Sequence, residues 1–433
     1  MPPPTNNMPS SGQEDGYAPL RFNGGVDNRS HETKLGEDHV RHADNVEIDK
    51  DGVLSRRAGY SQLAALLNAH SLWSHKVLAF ALVADSNKLY RLDPNGALTP
   101  LVTDLNGSDV SYELVAQRIR WSNGVQTGQI NLLGETSPLG VETPLPSFTV
   151  TPIANGGLFG GRHGITMTFA SAEREEGGAP DTVFVDVPEG GGILIGAIPT
   201  SEDSAATEAR VYVTGSNGDQ LQYAGSAVPG AATFLVGAGA RGRSLTTQFC
   251  EPFPAATHLF AKAGRLFGAL GRYLIWSEAM YYGLYRPTFN FAPFADDITM
   301  IAAPESEQFL VFVGTTQKTY VWQGDSLETA KPSVVSNEGV IPGSMVMVPS
   351  EVLRMERVLT PVPVWVGNDG VPYAGTLEGV IPLSEVFAYP IYDQAAAAFV
   401  QQDGLSRYIV SGRGGRQSGL AMTDSAIATV INN

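Results

Sequence analysis

Short runs of alternating apolar and polar residues recur along the chain, separated by turns rich in glycine, asparagine and aspartate. In residues 264–278 (GRLFGALGRYLIWSE), an apolar run ends at Leu270, a Gly-Arg turn follows, and a second run carries Tyr273 and Trp276. Alternation with a period of two predicts a half-buried β-strand. Two such runs joined by a tight turn predict a β-hairpin.

Five further stretches repeat this pattern, namely residues 76–96, 113–130, 309–325, 362–379 and 397–412. Their turns include Asn123-Gly124 and Asp403-Gly404, which are strong hairpin signals. In the later hairpins the tyrosines at 273, 320, 373 and 408 lie 47, 53 and 35 residues apart. Repeats of about 40–50 residues with several strands each are typical of β-propeller blades, which bury one another's faces around an axis.

One interval in this repeat is too long, because 148 residues separate Val125 from Tyr273. Subtracting one repeat leaves about 100 residues, the size of an immunoglobulin/fibronectin-like β-sandwich. Seven short alternating runs fall in the interval, which predicts a sandwich inserted over residues 146–238. Residues 57–76 would form either one short helix or a loop followed by a strand.

The predicted fold is therefore all-β: a β-propeller with an inserted sandwich and an extended N-terminal arm. The predicted divisions are a tail, arm and hairpin over residues 1–60, the first part of the propeller over 61–145, the sandwich over 146–238, and the second part of the propeller over 239–433. The 48 glycines and 28 prolines agree with many short strands and turns rather than long helices.

Charge and cysteine content exclude several classes of function. The net charge of −16 argues against tight binding of nucleic acid through its phosphates. The single cysteine, Cys250, can form neither an internal disulfide nor a zinc cluster, and we expect it to be a buried apolar residue. The first residues lack the pattern of a signal peptide and read as a flexible tail, and no apolar run is long enough to span a membrane. Synthesis in the cytoplasm is expected.

Two motifs suggest ligand chemistry but lack the context that it requires. Residues 237–244 (GAGARGRS) have the spacing of a phosphate-binding loop with Arg243 in place of lysine, yet the sequence after them does not predict a helix. His39 and His42 are spaced to share a metal ion on a helix, but no further ligands converge in the sequence. We expect a linker and a solvated polar segment, respectively.

Calcium binding and catalysis are similarly unsupported. The oxygen-bearing side chains of Asp85, Asn87, Asp93 and Asn95 fall in hairpin turns, where turn geometry alone favours them. No Gly-x-Ser-x-Gly motif is present, and the segments nearest to a sialidase Asp box, WQGDSLET and MTDSAIAT, do not fit it. The sequence therefore predicts a non-enzymatic protein with no cofactor and no metal site.

Residues 21–60 are the most distinctive part of the chain. They predict an extended arm broken at Gly24-Gly25, a polar connector, and a hairpin in which Val46 and Ile48 share one face. A core role explains the hairpin but not the long arm. An arm of this kind either packs on a neighbouring subunit or closes a ring within its own chain, and the sequence leaves both open.

Three motifs in this region resemble the tail-hub proteins of short-tailed bacteriophages, also called nozzle or packaged-DNA stabilisation proteins. They are Gly-Gly-x-Asp-Asn at residues 24–28, Asn-Val at 45–46 and Arg-Arg-x-Gly-Tyr at 56–60. Residues 264–278 and 362–385 are similar to blade sequences of the same family. The resemblance covers the arm and the propeller, and an inserted sandwich is expected in some members.

The resemblance implies a structural virion protein without enzymatic activity. Such proteins form a ring, usually a hexamer, below the portal and its adaptor, continue the DNA channel and retain the genome until ejection. The implied partners are other copies of the chain, the tail adaptor, and tail fibre or needle proteins, while double-stranded DNA passes without specific binding. The expected assembly-interface residues are Phe22, Asn23, Gly24, Gly25, Val26, Asp27, Asn28, Arg56, Arg57 and Tyr60.

Two alternatives remain at this stage. The first is a receptor-binding protein of a tail tip or fibre that holds host glycans, with Tyr281, Tyr282 and Tyr285 stacking on sugar rings. The second is a propeller enzyme that cleaves glycans, which would need paired carboxylates near the propeller axis.

Overall fold

The computed structural model describes residues 21–49, 51–57, 59, 61–171, 176–203, 206–306, 308–353, 361–402, 405–415 and 427–429. Within these ranges the chain is built from β-strands, and the only helices are two short 3-10 turns at Glu32–Lys34 and Ser350–Leu353. The N-terminal tail, Tyr60 and the Asp403-Gly404 turn lie outside the described residues.

The arm consists of two small sheets. Strands β1 (Gly25–Val26) and β2 (His39–Val40) pair in parallel. Strands β3 (Val46–Ile48) and β4 (Leu54–Arg56) form the expected antiparallel hairpin. The described residues between this hairpin and residue 76 form a loop followed by a strand, so the helical alternative for residues 57–76 is wrong.

Two four-stranded antiparallel sheets follow, each with its strands in chain order. Blade 1 comprises β5 (Ala69–Ser74), β6 (Ala81–Asp85), β7 (Lys88–Leu92) and β8 (Leu98–Val102). Blade 2 comprises β9 (Ser111–Val115), β10 (Arg118–Ser122), β11 (Thr127–Asn131) and β12 (Thr136–Ser137). The two predicted hairpins before residue 131 form the central strand pairs of these blades.

The insertion contains the seven strands expected from its seven alternating runs. They are β13 (Thr149–Ile153), β14 (Gly161–Ala170), β15 (Val183–Val187), β16 (Gly192–Gly196), β17 (Glu208–Val213), β18 (Gln222–Ala227) and β19 (Thr233–Val236). Strands β13, β16 and β19 form one sheet, and β15, β14, β17 and β18 form a second. Residues of both sheets, such as Ile165, Val211 and Ile195, share one hydrophobic core.

Five more sheets follow in the described residues. Strands β20 (Glu251–Pro252) and β24 (Leu284–Tyr285) pair with each other beside blade 3. Blade 3 comprises β21 (Leu259–Lys262), β22 (Arg265–Leu270), β23 (Tyr273–Trp276) and β25 (Phe291–Pro293). Blade 4 comprises β26 (Ile298–Ala302), β27 (Phe309–Thr315), β28 (Thr319–Gly324) and β29 (Lys331–Ser336).

Blade 5 comprises β30 (Val346–Val348), β31 (Val362–Val366), β32 (Pro372–Thr376) and β33 (Gly379–Pro382). Blade 6 has three described strands, β34 (Tyr392–Gln402), β35 (Leu405–Gly415) and β36 (Ile427–Thr429). The four predicted hairpins after residue 256 therefore lie in blades 3 to 6, as the repeat pattern indicated.

Neighbouring blades stack face to face through shared apolar clusters. Leu82 and Ile119 belong to one cluster between blades 1 and 2, and Phe312 and Trp365 belong to another between blades 4 and 5. The first strands of successive blades also touch: β9 contacts β21, β21 contacts β26, and β30 contacts β34. These first strands are therefore the inner strands, which is the arrangement of a β-propeller.

Gly375 provides a test of this packing. A Cβ atom at this position would lie 2.7 Å from the ring of Phe312 and 2.9 Å from that of Trp365, both buried between blades 4 and 5. We expect Gly375→Ala to destabilise the protein by about 1–3 kcal/mol, because a closely packed core cannot absorb the added methyl group. The midpoint of urea unfolding, followed by tryptophan fluorescence, measures this effect.

Gly215→Ala is the matched control. Gly215 has no atom within 4 Å of an added Cβ and no positive φ, so the same methyl group should leave stability almost unchanged. Equal stabilities of the two variants would contradict the face-to-face packing of blades 4 and 5.

Candidate functional site

The N-terminal arm is fastened to the C-terminal half of the propeller by Asn28. Its Nδ2 donates to the carbonyl of Ala388 at 2.7 Å, and its Oδ1 accepts from the amide of Ala388 at 3.0 Å. The amides of Asn28 and Arg29 both donate to the carbonyl of Val386, at 3.1 and 3.2 Å. These bonds join positions 360 residues apart and hold the arm on the loop between blades 5 and 6.

The neighbouring residues of the Gly-Gly-x-Asp-Asn motif shape this contact. Asp27 is 3% exposed, and its carboxylate accepts the amides of Arg29 at 3.2 Å and Ser30 at 2.9 Å. Hydrogen bonds from Ser30 are the main reason that the pKa of Asp27 is lowered. Val26 packs against the apolar cluster between blades 5 and 6.

The two glycines are required by close approach and by backbone conformation. Gly24 faces the ring of His39 so closely that a Cβ would collide with it. Gly25 has φ 72°, in the left-handed region that glycine adopts without strain. Each fixed residue of the motif thus has a physical reason to be present in this position.

The β3–β4 hairpin is anchored through its polar face. Nη2 of Arg407, on β35, lies 3.0 Å from Oε2 of Glu47, and Nε of Arg57 lies 3.9 Å from the other oxygen of that carboxylate. The amide of Phe22 donates to the carbonyl of Gly52 at 2.8 Å, which ties the start of the arm to the hairpin turn.

The structure therefore places most of the expected assembly residues against their own chain. Asn23 and Arg56 are exposed, and Tyr60 lies outside the described residues. Contact of this region with a second subunit or an adaptor stays a prediction.

A group of titratable side chains surrounds the inner strands at the end of the propeller where those strands begin. Nδ1 of His70 lies 3.4 Å from Oδ1 of Asp109 and 2.9 Å from Oγ of Ser71. His258 precedes β21, and burial lowers its pKa to about 4, against a smaller opposing effect of Asp109. Burial raises the pKa of Glu113, on β9, to about 8, with the amide of Ala261 opposing the shift.

A polar cleft of about 680 Å³ opens beside this group. It is lined by Asn68, His70, Ser86, Asn87, Leu105, Asn106, Gly107 and Arg413. Because Arg413 belongs to blade 6 and most of the other residues to blade 1 or the loop after it, the cleft marks where the last blade meets the first. His70 is 8% exposed in its side chain, and its Nε2 has no partner among the described residues.

The sequence reasoning missed this cluster and this cleft. His70, Asp109, His258 and Arg413 are spread over 343 positions and carry no local motif. The only sequence signal was the repeat itself, because the residues that precede the inner strands of successive blades converge at one end of a propeller.

The His39/His42 metal hypothesis is not supported by the geometry. Nδ1 of His39 lies 2.9 Å from Asp38, and Nε2 of His42 lies 2.8 Å from Asp44, in two separate pairs. Nowhere in the described ranges do three or more His, Cys, Asp or Glu side chains come together as metal ligands.

The turn residues considered for calcium are engaged in local hydrogen bonds. Oδ1 of Asp85 accepts the amide of Asn68 at 2.6 Å. Oδ1 of Asp93 accepts from Arg91 at 2.9 Å, and Oδ1 of Asn95 accepts the amide of Ala97 at 3.0 Å. Turn chemistry accounts for Asn95, whereas Asp85 holds the segment before β5 and Asp93 is in an ion pair with Arg91; Asn87 lines the cleft.

Arg243, the basic residue of the loop at residues 237–244, forms an ion pair with Glu176 of the insertion. The buried carboxylate of Glu176 also accepts from Thr168 and Tyr212, and pairs with Arg210 at 3.0 Å. Residues 245–250 form no helix, so the phosphate-loop geometry is absent here and the segment is a linker fastened to the insertion.

The remaining candidate side chains are Cys250 and three tyrosines. Cys250 is 2% exposed, which confirms its expected role in the core. Tyr282 is also buried and Tyr285 is half-buried against Phe253, which leaves Tyr281 as the exposed member of the proposed sugar-stacking set. Sugar stacking by all three rings is therefore not supported, because Tyr282 and Tyr285 pack beside the core of blade 3.

Comparisons with known proteins bear on the fold alone. No protein family and no curated protein matches the sequence. Solved structures with some likeness include the Neurospora crassa Pan2 WD40 domain, at 9% identity over 79% of this chain and 85% of that one, with a TM-score of 0.34. BBS1N in complex with ARL6DN gives 9% identity, coverages of 82% and 92%, and a TM-score of 0.34. These scores are too low to support any argument about function.

No helix in the described part of the chain has the length and apolar character needed to cross a membrane.

Two half-buried groups at the inner strands, Glu113 and His258, predict a pH dependence of stability. The pKa of Glu113 is about 8 in the folded protein against 4.5 as its ordinary value, so in this range the unfolded chain loses the proton first. Stability should therefore fall as pH rises from about 5 to about 8. Glu113→Gln should remove this loss. Between pH 5 and pH 8 the urea midpoint of the wild type should fall relative to that of the variant.

His258 predicts the opposite trend. Its folded pKa of about 4 lies below the ordinary 6.5, so the unfolded chain takes up the proton first as pH falls. Stability should decline from pH 6.5 towards pH 4, and His258→Gln should reduce this decline. Parallel pH profiles for the wild type and both variants would argue against burial of these groups.

Proposed function

We propose that this protein is a structural component of a bacteriophage virion that forms a ring-shaped tail nozzle below the portal and adaptor. The ring continues the DNA channel and retains the genome until ejection. The observation that carries the proposal is the Gly-Gly-x-Asp-Asn arm at residues 24–28, the signature of the resemblance to tail-hub proteins. Within this motif Asn28 fastens the arm to the loop between blades 5 and 6, while Asp27 and Gly24 shape the arm itself.

The other features of the chain support the same role. Stacked blades form a rigid block suited to a ring. The insertion, whose seven strands form two sheets around one core, is on this proposal the immunoglobulin/fibronectin-like sandwich expected in some members of the family. The net charge of −16 suits a channel through which DNA slides without binding. In this role the protein has no catalytic activity, cofactor or metal, is made in the host cytoplasm and resides in the tail, with other copies, the adaptor and fibre or needle proteins as its partners.

Glycan binding at a tail tip is the second candidate. The observation in its favour is the polar cleft between blades 1 and 6, where the amides of Asn68, Asn87 and Asn106 and the guanidinium of Arg413 offer hydrogen bonds of the kind that hold saccharides. It ranks second because no Phe, Tyr or Trp is among the described residues that line the cleft.

Localisation of the chain within the virion tests the nozzle proposal. We expect an antibody against this chain, viewed by electron microscopy, to label the tail axis below the portal vertex at hexameric stoichiometry. Label at fibre tips, with binding to a glycan array, would favour the receptor-binding alternative. Particles that carry no label would eliminate both roles.

The arm provides a second test. Asn28→Ala removes both side-chain hydrogen bonds to Ala388, at a cost of about 0.5–1.5 kcal/mol for each bond. We expect a folded monomer whose arm is loosened and whose incorporation into tails falls clearly, as measured by immunoblotting of purified particles. Deletion of residues 1–30 should block incorporation entirely.

Asn155→Ala is the matched control, since Asn155 is an exposed asparagine of the insertion far along the chain from the arm. Its incorporation should equal that of the wild type. Normal tails from the deletion variant would show that the arm is dispensable for assembly.

A further inference from the structure

We propose that neighbouring copies of this chain join through two different surfaces: the outer face of the β3–β4 hairpin on one copy and an aromatic patch on blade 3 of the next. This inference rests on the ring proposed above, and it names the contact that would build the ring. It assigns a partner to two apolar surfaces that are exposed among the residues that the structure describes.

The hairpin presents its apolar side outward. Its register places Ile48 opposite Leu54 and Val46 opposite Arg56, so these four side chains share one face. The other face carries Glu47, which is bound to Arg407 of blade 6. Because the charged face is turned towards the propeller, the apolar face points away from it, and Leu54 is 40% exposed. A two-stranded sheet with an uncovered apolar face is a common form of docking surface.

The aromatic patch consists of Phe249, Phe289 and Phe291, which are 65%, 73% and 42% exposed. Arg286 holds its parts together. The guanidinium donates to the carbonyl of Thr246 at 3.1 Å, close to Phe249 in the chain, and the carbonyl of Arg286 accepts the amide of Phe289 at 3.1 Å. Phe291 lies on β25, the outermost strand of blade 3. Three exposed phenylalanines at a blade rim match the aromatic enrichment of protein interfaces.

The positions of the two surfaces favour a second copy as the occupant. The hairpin sits on blade 6 and the patch on blade 3, so two blades separate them on one side of the propeller. They consequently face in different directions. A ring of identical subunits requires this kind of pair, because each copy must offer one surface forward and a different surface backward.

Charge complementarity points to the same occupant. Arg56 is exposed on the apolar face of the hairpin, and Glu251 is exposed two residues from Phe249. An apolar centre with opposite charges at its edge is the usual anatomy of a specific interface. Local attraction of this kind also counters the repulsion between copies that each carry a net charge of −16.

The first test compares the association of purified variants by sedimentation velocity over a range of concentrations. Leu54→Asp and Phe289→Asp should each weaken self-association at least tenfold, since each buries a carboxylate in the contact. Leu145→Asp and Phe159→Asp place the same change on other exposed apolar residues and should associate like the wild type. Circular dichroism would verify that all four variants fold.

A charge exchange provides the sharper test. Arg56→Glu and Glu251→Arg should each weaken association, and the double variant should recover much of it because the attraction is restored with reversed sign. If each substitution merely damaged the structure at its own site, their effects on association would add in the double variant rather than cancel.

Cross-linking shows whether the two surfaces meet across copies. A Leu54→Cys copy mixed with a Phe289→Cys copy should form a disulfide-linked pair under mild oxidation, while either variant alone should not. The native Cys250 is buried and gives little background.

The outcomes separate the two proposals. Rings that persist in Leu54→Asp and Phe289→Asp, with no cross-link between the two cysteine copies, would overturn this contact and leave the nozzle proposal standing. A wild-type chain that stays monomeric at every concentration, and is absent from the tail axis of labelled virions, would overturn both.

Discussion

The structure depends on one packing constraint: each blade that lies between two others has two apolar faces, and each face needs a neighbouring blade to cover it. Blade 4 illustrates it, since Phe309 and Trp322 pack towards blade 3 while Phe312 packs towards Trp365 of blade 5. No blade can be stable alone, so stability comes from the stack. The same constraint makes the end blades special, because they have one sequence neighbour each. Tyr408 of blade 6 is covered by blade 5 on one side, and the arm adds Val26 to that cluster.

The insertion satisfies this constraint by keeping its own core. Its two sheets bury their inner faces against each other, so it interrupts the propeller between blades 2 and 3 without supplying a face to either. The insertion contacts the linker at residues 237–250 through an ion pair and through tight backbone packing. Glu176 pairs with Arg243, and Gly178 meets the carbonyl of Cys250 so tightly that a Cβ would collide with it. Because Arg210 of the insertion also pairs with Glu176, the carboxylate keeps a cation within the insertion, and Arg243 adds a second ion pair that ties the linker to it.

The sequence predicted those parts of the fold that are encoded locally. The Asn123-Gly124 turn and the seven alternating runs of the insertion depend on neighbouring residues, and both are present as expected. Features that depend on distant residues were not predictable. Tyr282 reads as a loop aromatic, but its ring is covered by Leu139 and Phe253. The cluster of His70, Asp109 and His258 forms only when three blades converge, and no spacing in the sequence signals it. For the arm, the Gly-Gly-x-Asp-Asn motif was visible in the sequence, whereas the hydrogen bonds of Asn28 to Ala388 were not.

The ion pair between Glu47 and Arg407 has a consequence that extends beyond the monomer. A half-buried pair of this kind adds little to stability, since desolvation offsets most of the attraction. Its effect is on orientation: a hairpin whose two faces are apolar and charged would ordinarily bury the apolar face in its own chain. By fixing the charged face on blade 6, the pair leaves Val46 and Leu54 on the opposite face 36% and 40% exposed. The arm thus packs on the C-terminal blades of its own chain and leaves part of its hairpin exposed, while its contact with a neighbouring subunit stays a proposal.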